Sequence, residues 1–82
     1  MGEPTWILDL RDRHNCSVLR SFEPGEERDV LATIHEESTA PAIKVKGRRS
    51  SDGLKFCATM PDGLFMRLPY ADLMHLIKRG SR

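Results

Sequence analysis

Between Ile43 and Leu68 the chain reads Ile-Lys-Val-Lys-Gly-Arg-Arg-Ser-Ser-Asp-Gly-Leu-Lys-Phe-Cys-Ala-Thr-Met-Pro-Asp-Gly-Leu-Phe-Met-Arg-Leu. Two reversal signals, Ser51-Asp52-Gly53 and Met60-Pro61-Asp62-Gly63, separate three short runs that alternate as strands do. Asp-Gly between such runs is the strongest local hairpin signal, because glycine accepts the positive φ of a tight turn. The stretch therefore predicts an antiparallel meander of Ile43–Arg48, Leu54–Met60 and Leu64–Leu68. It also gathers Lys44, Lys46, Arg48, Arg49 and Lys55 on one hairpin.

Working outward, the segment from Pro69 to Gly80 carries a complete set of helix signals. Proline stands first, Asp72 lies in the first turn, Lys78 and Arg79 in the last, and glycine closes it. Tyr70, Leu73, Leu76 and Ile77 fall on one helical stripe that needs a sheet to lie on. At the other end, Thr5–Leu10 is rich in strand formers, with Trp6, Leu8 and Leu10 on one face. Arg11–Asn15 is turn-like and Ser17–Phe22 can return beside it, so an N-terminal hairpin is expected. Glu23-Pro24-Gly25 then breaks the chain.

Glu26–Glu37 supports two readings. Val30, Leu31 and Ile34 make a helical stripe with acids in the first turn, whereas Val30, Ala32 and Ile34 alternate as in a strand. Pro24 and the length of the stretch favour the helix; Glu36 and Glu37 at its negative end oppose it. The expectation is one α+β domain, residues 1–82, in the order β-β-α-β-β-β-α. It comprises a small antiparallel sheet of about five strands with one or two packed helices. Its first five elements are similar in order to ubiquitin-like β-grasp folds, and its last five to double-stranded RNA-binding domains. The phosphate-gripping basic helix start of the RNA-binding family is missing, since this helix opens Pro69-Tyr70-Ala71-Asp72. Element order alone carries no function.

The 82 residues are 39% hydrophobic and 30% charged, which suits a folded domain with a modest core and leaves little room for a deep substrate pocket. No apolar run approaches a membrane span of roughly 20 residues, and no secretory signal is visible at the start. Cys16 and Cys57 fit no paired motif, so two reduced, partly buried thiols in a cytoplasmic protein are expected, with a disulfide as the alternative if their strands pair. The net charge of +1 conceals polarity. Six acids (Glu23, Glu26, Glu27, Asp29, Glu36, Glu37) face Arg28 alone, and further on five bases face Asp52 alone. Head-to-tail self-association of the acidic segment on the basic hairpin of a second copy is one consequence of that arrangement.

Several groupings bear on chemistry. Lys44, Lys46 and Arg48 alternate on one strand face about 6.6 Å apart, close to the phosphate repeat of a nucleic-acid strand, with Arg49 at the tip, Lys55 opposite and Phe56 as a stacking surface. Against this, charged outer faces and edge lysines are ordinary in sheets, and Phe56 alternates as a core residue would. His14 and Cys16 form a single pair of metal-ligand types, short of the two pairs a zinc site needs. Asp9, Asp12, His14 and Cys16 lack a glycine-rich or helix-start oxyanion site for nucleophilic catalysis. Mid-helix His75 reads as a flanking residue. Arg48-Arg49-Ser50-Ser51 puts a serine behind two arginines at a turn, a phosphorylation-like string that is common by chance. Leu64, Phe65 and Met66, with Met60 and Met74, offer a flexible apolar surface of the kind protein interfaces use.

The expected function is therefore a small, non-enzymatic binding or regulatory module acting through protein–protein contact. Its surface is Leu64, Phe65 and Met66 with Lys44 and Lys46 and neighbouring Arg48. A nucleic-acid-binding module using Lys44, Lys46, Arg48, Arg49 and Lys55 is the alternative. No cofactor, metal, membrane or small-molecule substrate is indicated.

Overall fold

Both reversals are present. At the first, Gly53 has φ 78° and its N–H donates to Ser50 O at 2.8 Å; at the second, Gly63 has φ 86° and donates to Met60 O at 2.8 Å. Asp52 and Asp62 each accept from the backbone N–H two residues on, at 3.0 Å, closing the turns as the sequence demands. Hydrogen bonds from the Ser50 hydroxyl and the Leu54 N–H hold the Asp52 carboxyl below its ordinary value.

The computed structural model describes residues 5–34, 39 and 41–80. They form β1 (Trp6–Leu8), α1 (Arg13–Arg20), β2 (Glu27–Ile34), β3 (Ile43–Arg49), β4 (Lys55–Thr59), β5 (Phe65–Pro69) and α2 (Tyr70–Gly80). Five antiparallel strands lie side by side in the order β1-β2-β3-β4-β5. This is the expected small α+β fold with two helices. No described helix is long and apolar enough to cross a membrane.

The first helix and the second strand exchange places relative to the sequence reading. Ser17–Phe22 is no strand; most of it belongs to α1. Asp12 caps that helix by accepting the Asn15 N–H at 2.8 Å, and Cys16 and Leu19 bury one face. Most of Glu26–Glu37 is β2 and not helix, the alternation of Val30 and Ala32 having won. The physical reason is non-local: Glu27 lies opposite Arg48 and Asp29 opposite Lys46, so acids that would favour a helix start instead meet bases on β3. His35–Ser38 lie outside the described residues. With a helix between β1 and β2 and a plain meander order, the β-grasp likeness does not carry through.

Val30, Ala32, Val45, Phe56, Ala58 and Met60 face inward and meet Leu19, Phe22, Tyr70, Leu73 and Ile77 in one core, so both helices cover the same side of the sheet. Phe56 is fully buried, edge-on to Phe22 with centroids 5.2 Å apart. Gly47 lets that ring in: a Cβ there would stand 2.8 Å from Phe56 Cζ and 3.3 Å from Val30 Cγ2. The Tyr70 hydroxyl donates to Leu19 O and joins the two helices; burial pushes this phenol above its usual value. Leu54, read as a strand residue, sits exposed at the turn.

Asn15 is buried at the other end. Its Nδ2 donates to Asp9 O at 2.7 Å and Leu31 O at 3.2 Å, and its Oδ1 accepts from Leu31 N at 2.8 Å. One side chain thereby fastens α1 to the junction of β1 and β2.

Candidate interaction surface

Strand register decides which charged groups share a face. Arg48 stands opposite Glu27 and Cys57, and Cys57 opposite Arg67; Lys46 stands opposite Asp29 and Thr59, and Thr59 opposite Phe65. Two rows thus cross the outer face, Glu27–Arg48–Cys57–Arg67 and Asp29–Lys46–Thr59–Phe65. Phe65 lies two strands from Lys46, about 10 Å away at the usual strand spacing. Lys44, Lys46, Arg48, Lys55 and Arg67 are all exposed there.

The acids of β2 answer part of this charge within the chain. Asp29 Oδ1 lies 3.0 Å from Lys46 Nζ, and its hydrogen bond raises the lysine pKa. Lys55 and Arg67 have no acid on their own strands' outward positions, so this face is acidic at β2 and basic from β3 to β5. The expected head-to-tail attraction between copies meets a competitor here, since the acids of β2 already lie against the basic strand of their own chain.

Arg49 departs from the nucleic-acid reading. It points inward, with Nη1 donating to Phe22 O at 2.7 Å, Nε donating to Gly53 O at 2.8 Å, and its guanidinium 3.9 Å above the Tyr70 ring. The same parity that puts Lys46 and Arg48 outside puts Val45, Gly47 and Arg49 inside. Phe56 likewise belongs to the core and offers no stacking surface. Substituting Arg49 by methionine is expected to lower stability by about 2 kcal/mol, since two charge-assisted bonds and a stacked cation are lost. Alanine at neighbouring Arg48 should move it by no more than about 0.5 kcal/mol, with the urea midpoint as the measurement.

The apolar candidates also divide. Leu64 and Phe65 are 67% and 59% exposed, with Leu54 the most open large apolar side chains among the described residues. Met60 is buried, and Met66 and Met74 pack against the core, so the expected methionine surface is mostly interior. The sheet curls until its two edges approach: Thr5 and Trp6 at β1 and Leu64, Phe65 and Met66 at β5, with Met60 and Asp62, line a groove of ≈ 390 Å³. Arg67, whose guanidinium lies 5.4 Å from the Phe65 centroid, escaped the sequence reading. Its alternation with Phe65 was the available signal.

The first-hairpin candidates are occupied locally. Asp12 caps α1, Asp9 accepts the Arg11 N–H at 3.0 Å and pairs with its guanidinium at 3.5 Å, and buried Cys16 donates to Leu10 O. Burial raises the Cys16 thiol pKa, and both cysteines are free. His14 and His75 are exposed, and no three metal-ligating side chains converge among the described residues. The Ser50 hydroxyl, one of the two serines behind the arginines, donates to Asp52 and accepts the Lys55 N–H. No family model, curated protein or solved structure matches this chain.

Proposed function

We propose that this chain is a small, non-catalytic binding module that works by protein–protein contact at the β4–β5 end of its sheet. The observation that carries the reading is the pair Leu64 and Phe65, open to solvent beside an apolar groove and flanked by Arg67 on β5 and by Lys46 and Arg48 across the sheet. Large apolar side chains at a polar-rimmed surface are a common signature of contact sites. Lys44, farther along β3, extends the rim. Two free thiols, one of them buried, suit a module working in the reducing interior of the cell.

The test is a double substitution, Leu64→Ser with Phe65→Ser. Neither side chain belongs to the core, so thermal stability is expected to hold. Retention of partner proteins from the native cell, reconstituted with purified components, should fall at least about tenfold, equivalent to 1.4 kcal/mol. Retention equal to that of the wild type removes the reading.

A single-stranded nucleic acid is the second reading, favoured by one specific observation: exposed Phe65 shares the outer face with Lys46, Arg48, Lys55 and Arg67. Such a binder must lose affinity steeply with salt and again on Arg48→Ala with Arg67→Ala. No binding of a generic oligonucleotide at low salt eliminates it.

A further inference from the structure

The free edge of β5 carries a more specific inference, which rests on the surface proposed above. Met60 N–H donates to Leu64 O, and Tyr70 N–H donates to Leu54 O, both at 2.8 Å. Both pairs continue the register of β4 with β5. Antiparallel partners alternate between hydrogen-bonded and non-bonded pairs, so both ends assign Leu64, Met66, Leu68 and Tyr70 to the β4 ladder. The backbone groups of Phe65, Arg67 and Pro69 therefore point away from β4, toward the side on which no described strand pairs with β5. Proline, which has no N–H, is tolerated in this strand because its nitrogen faces outward. The edge offers two donors and three acceptors, and it ends at Pro69 where α2 begins.

We infer that this edge accepts an extended peptide as a sixth strand, and that the peptide alternates apolar with acidic side chains. A strand added to β5 projects its side chains alternately to the two faces of the sheet. On the inner face they meet the groove lined by Trp6, Met60 and Met66. On the outer face they meet Arg67 and Phe65, with Lys55, Lys46 and Arg48 on the strands behind. Apolar residues suit the first position and carboxylates the second. Asp62 lines the groove at its turn end, so the acid belongs toward Arg67 and the apolar residue toward Leu64. A second copy of β5 is the poorer occupant, because it brings another Arg67 where a carboxylate is favoured.

The probe is a fluorescein-labelled heptapeptide in which glutamate alternates with valine and isoleucine, compared with the same peptide carrying lysine for glutamate. The glutamate peptide is expected to bind the full chain, and Arg67→Glu should weaken it at least about tenfold at low salt. Amide hydrogen exchange gives the decisive readout. On saturation, the Phe65 and Arg67 amides should slow by about tenfold or more, while those of Met66 and Leu68, already paired to β4, should not change.

Three results overturn the inference: no binding at about millimolar peptide, equal binding of the lysine peptide, or binding that leaves the Phe65 and Arg67 amides unprotected. In the last case side-chain docking at Leu64 and Phe65 can still stand, as the double serine variant reports separately. If that variant keeps its partners, the surface reading falls whatever the peptide does.

Discussion

Replacing Asn15 by aspartate is expected to remove about 3–4 kcal/mol of stability, a large share of the roughly 4–12 kcal/mol available to a chain of this length. The substitution keeps size and shape. It removes the amide donor that serves Asp9 O and Leu31 O, and sets a carboxylate against those same two carbonyl oxygens. The Leu31 N–H remains a partner, but a single donor does not offset burial of the charge. The pH dependence separates this cause from misfit. The buried carboxyl would have a folded-state pKa above its unfolded value. Protonation therefore restores part of the loss at acid pH, and the deficit deepens as the pH rises through the folded-state pKa. Urea unfolding at acid and neutral pH measures it; a pH-independent deficit would show that shape, and not charge, matters at this position.

Phe56→Ala should cost about 3–5 kcal/mol, because the ring is fully enclosed between Phe22, Tyr70 and the floor of β3. Gly47→Ala is expected to cost about 1–3 kcal/mol by forcing that ring aside. In the Phe56→Ala background the added methyl enters space the ring has left, so the two penalties should not add. Denaturant midpoints of the two single variants and the double variant test this, with an expected coupling of at least about 1 kcal/mol. Additive penalties would mean that Gly47 is needed for backbone reasons and not for the ring.

Legibility of the fold tracked the range of the information. The meander from Ile43 to Leu68 was readable because Asp52-Gly53 and Asp62-Gly63 act within four residues, although Pro69, read as the first residue of the helix, closes β5 instead. Helix α2 was readable from its own ends. In the N-terminal half β1 was readable but α1 and β2 were not, and the reasons are specific. Helix α1 is only eight residues long, and its buried face includes the polar Asn15, which breaks the apolar stripe. The Asp12 cap was a local signal left unused. Strand β2 was decided by Arg48 and Lys46 on a distant segment, information that no window around Glu27 contains.

The candidate surface shows the same division. Strand parity correctly grouped Lys44, Lys46 and Arg48, and applied one residue further it would have placed Arg49 inside. What parity could not reveal was Trp6 beside Met66, since only the curling of the sheet brings the first and last strands to one groove.

The neighbour-to-neighbour strand order has a kinetic consequence. Four of the five strands (β2 to β5) follow one another with no described helix between them, so much of the ladder can zip outward from the turns at Gly53 and Gly63, where each closure requires only a short loop. The hydrogen bond from Tyr70 to Leu19, which joins helices on either side of that ribbon in sequence, is then expected to close late. Strain that pulls the two helices apart should break this bond while the central ribbon still holds.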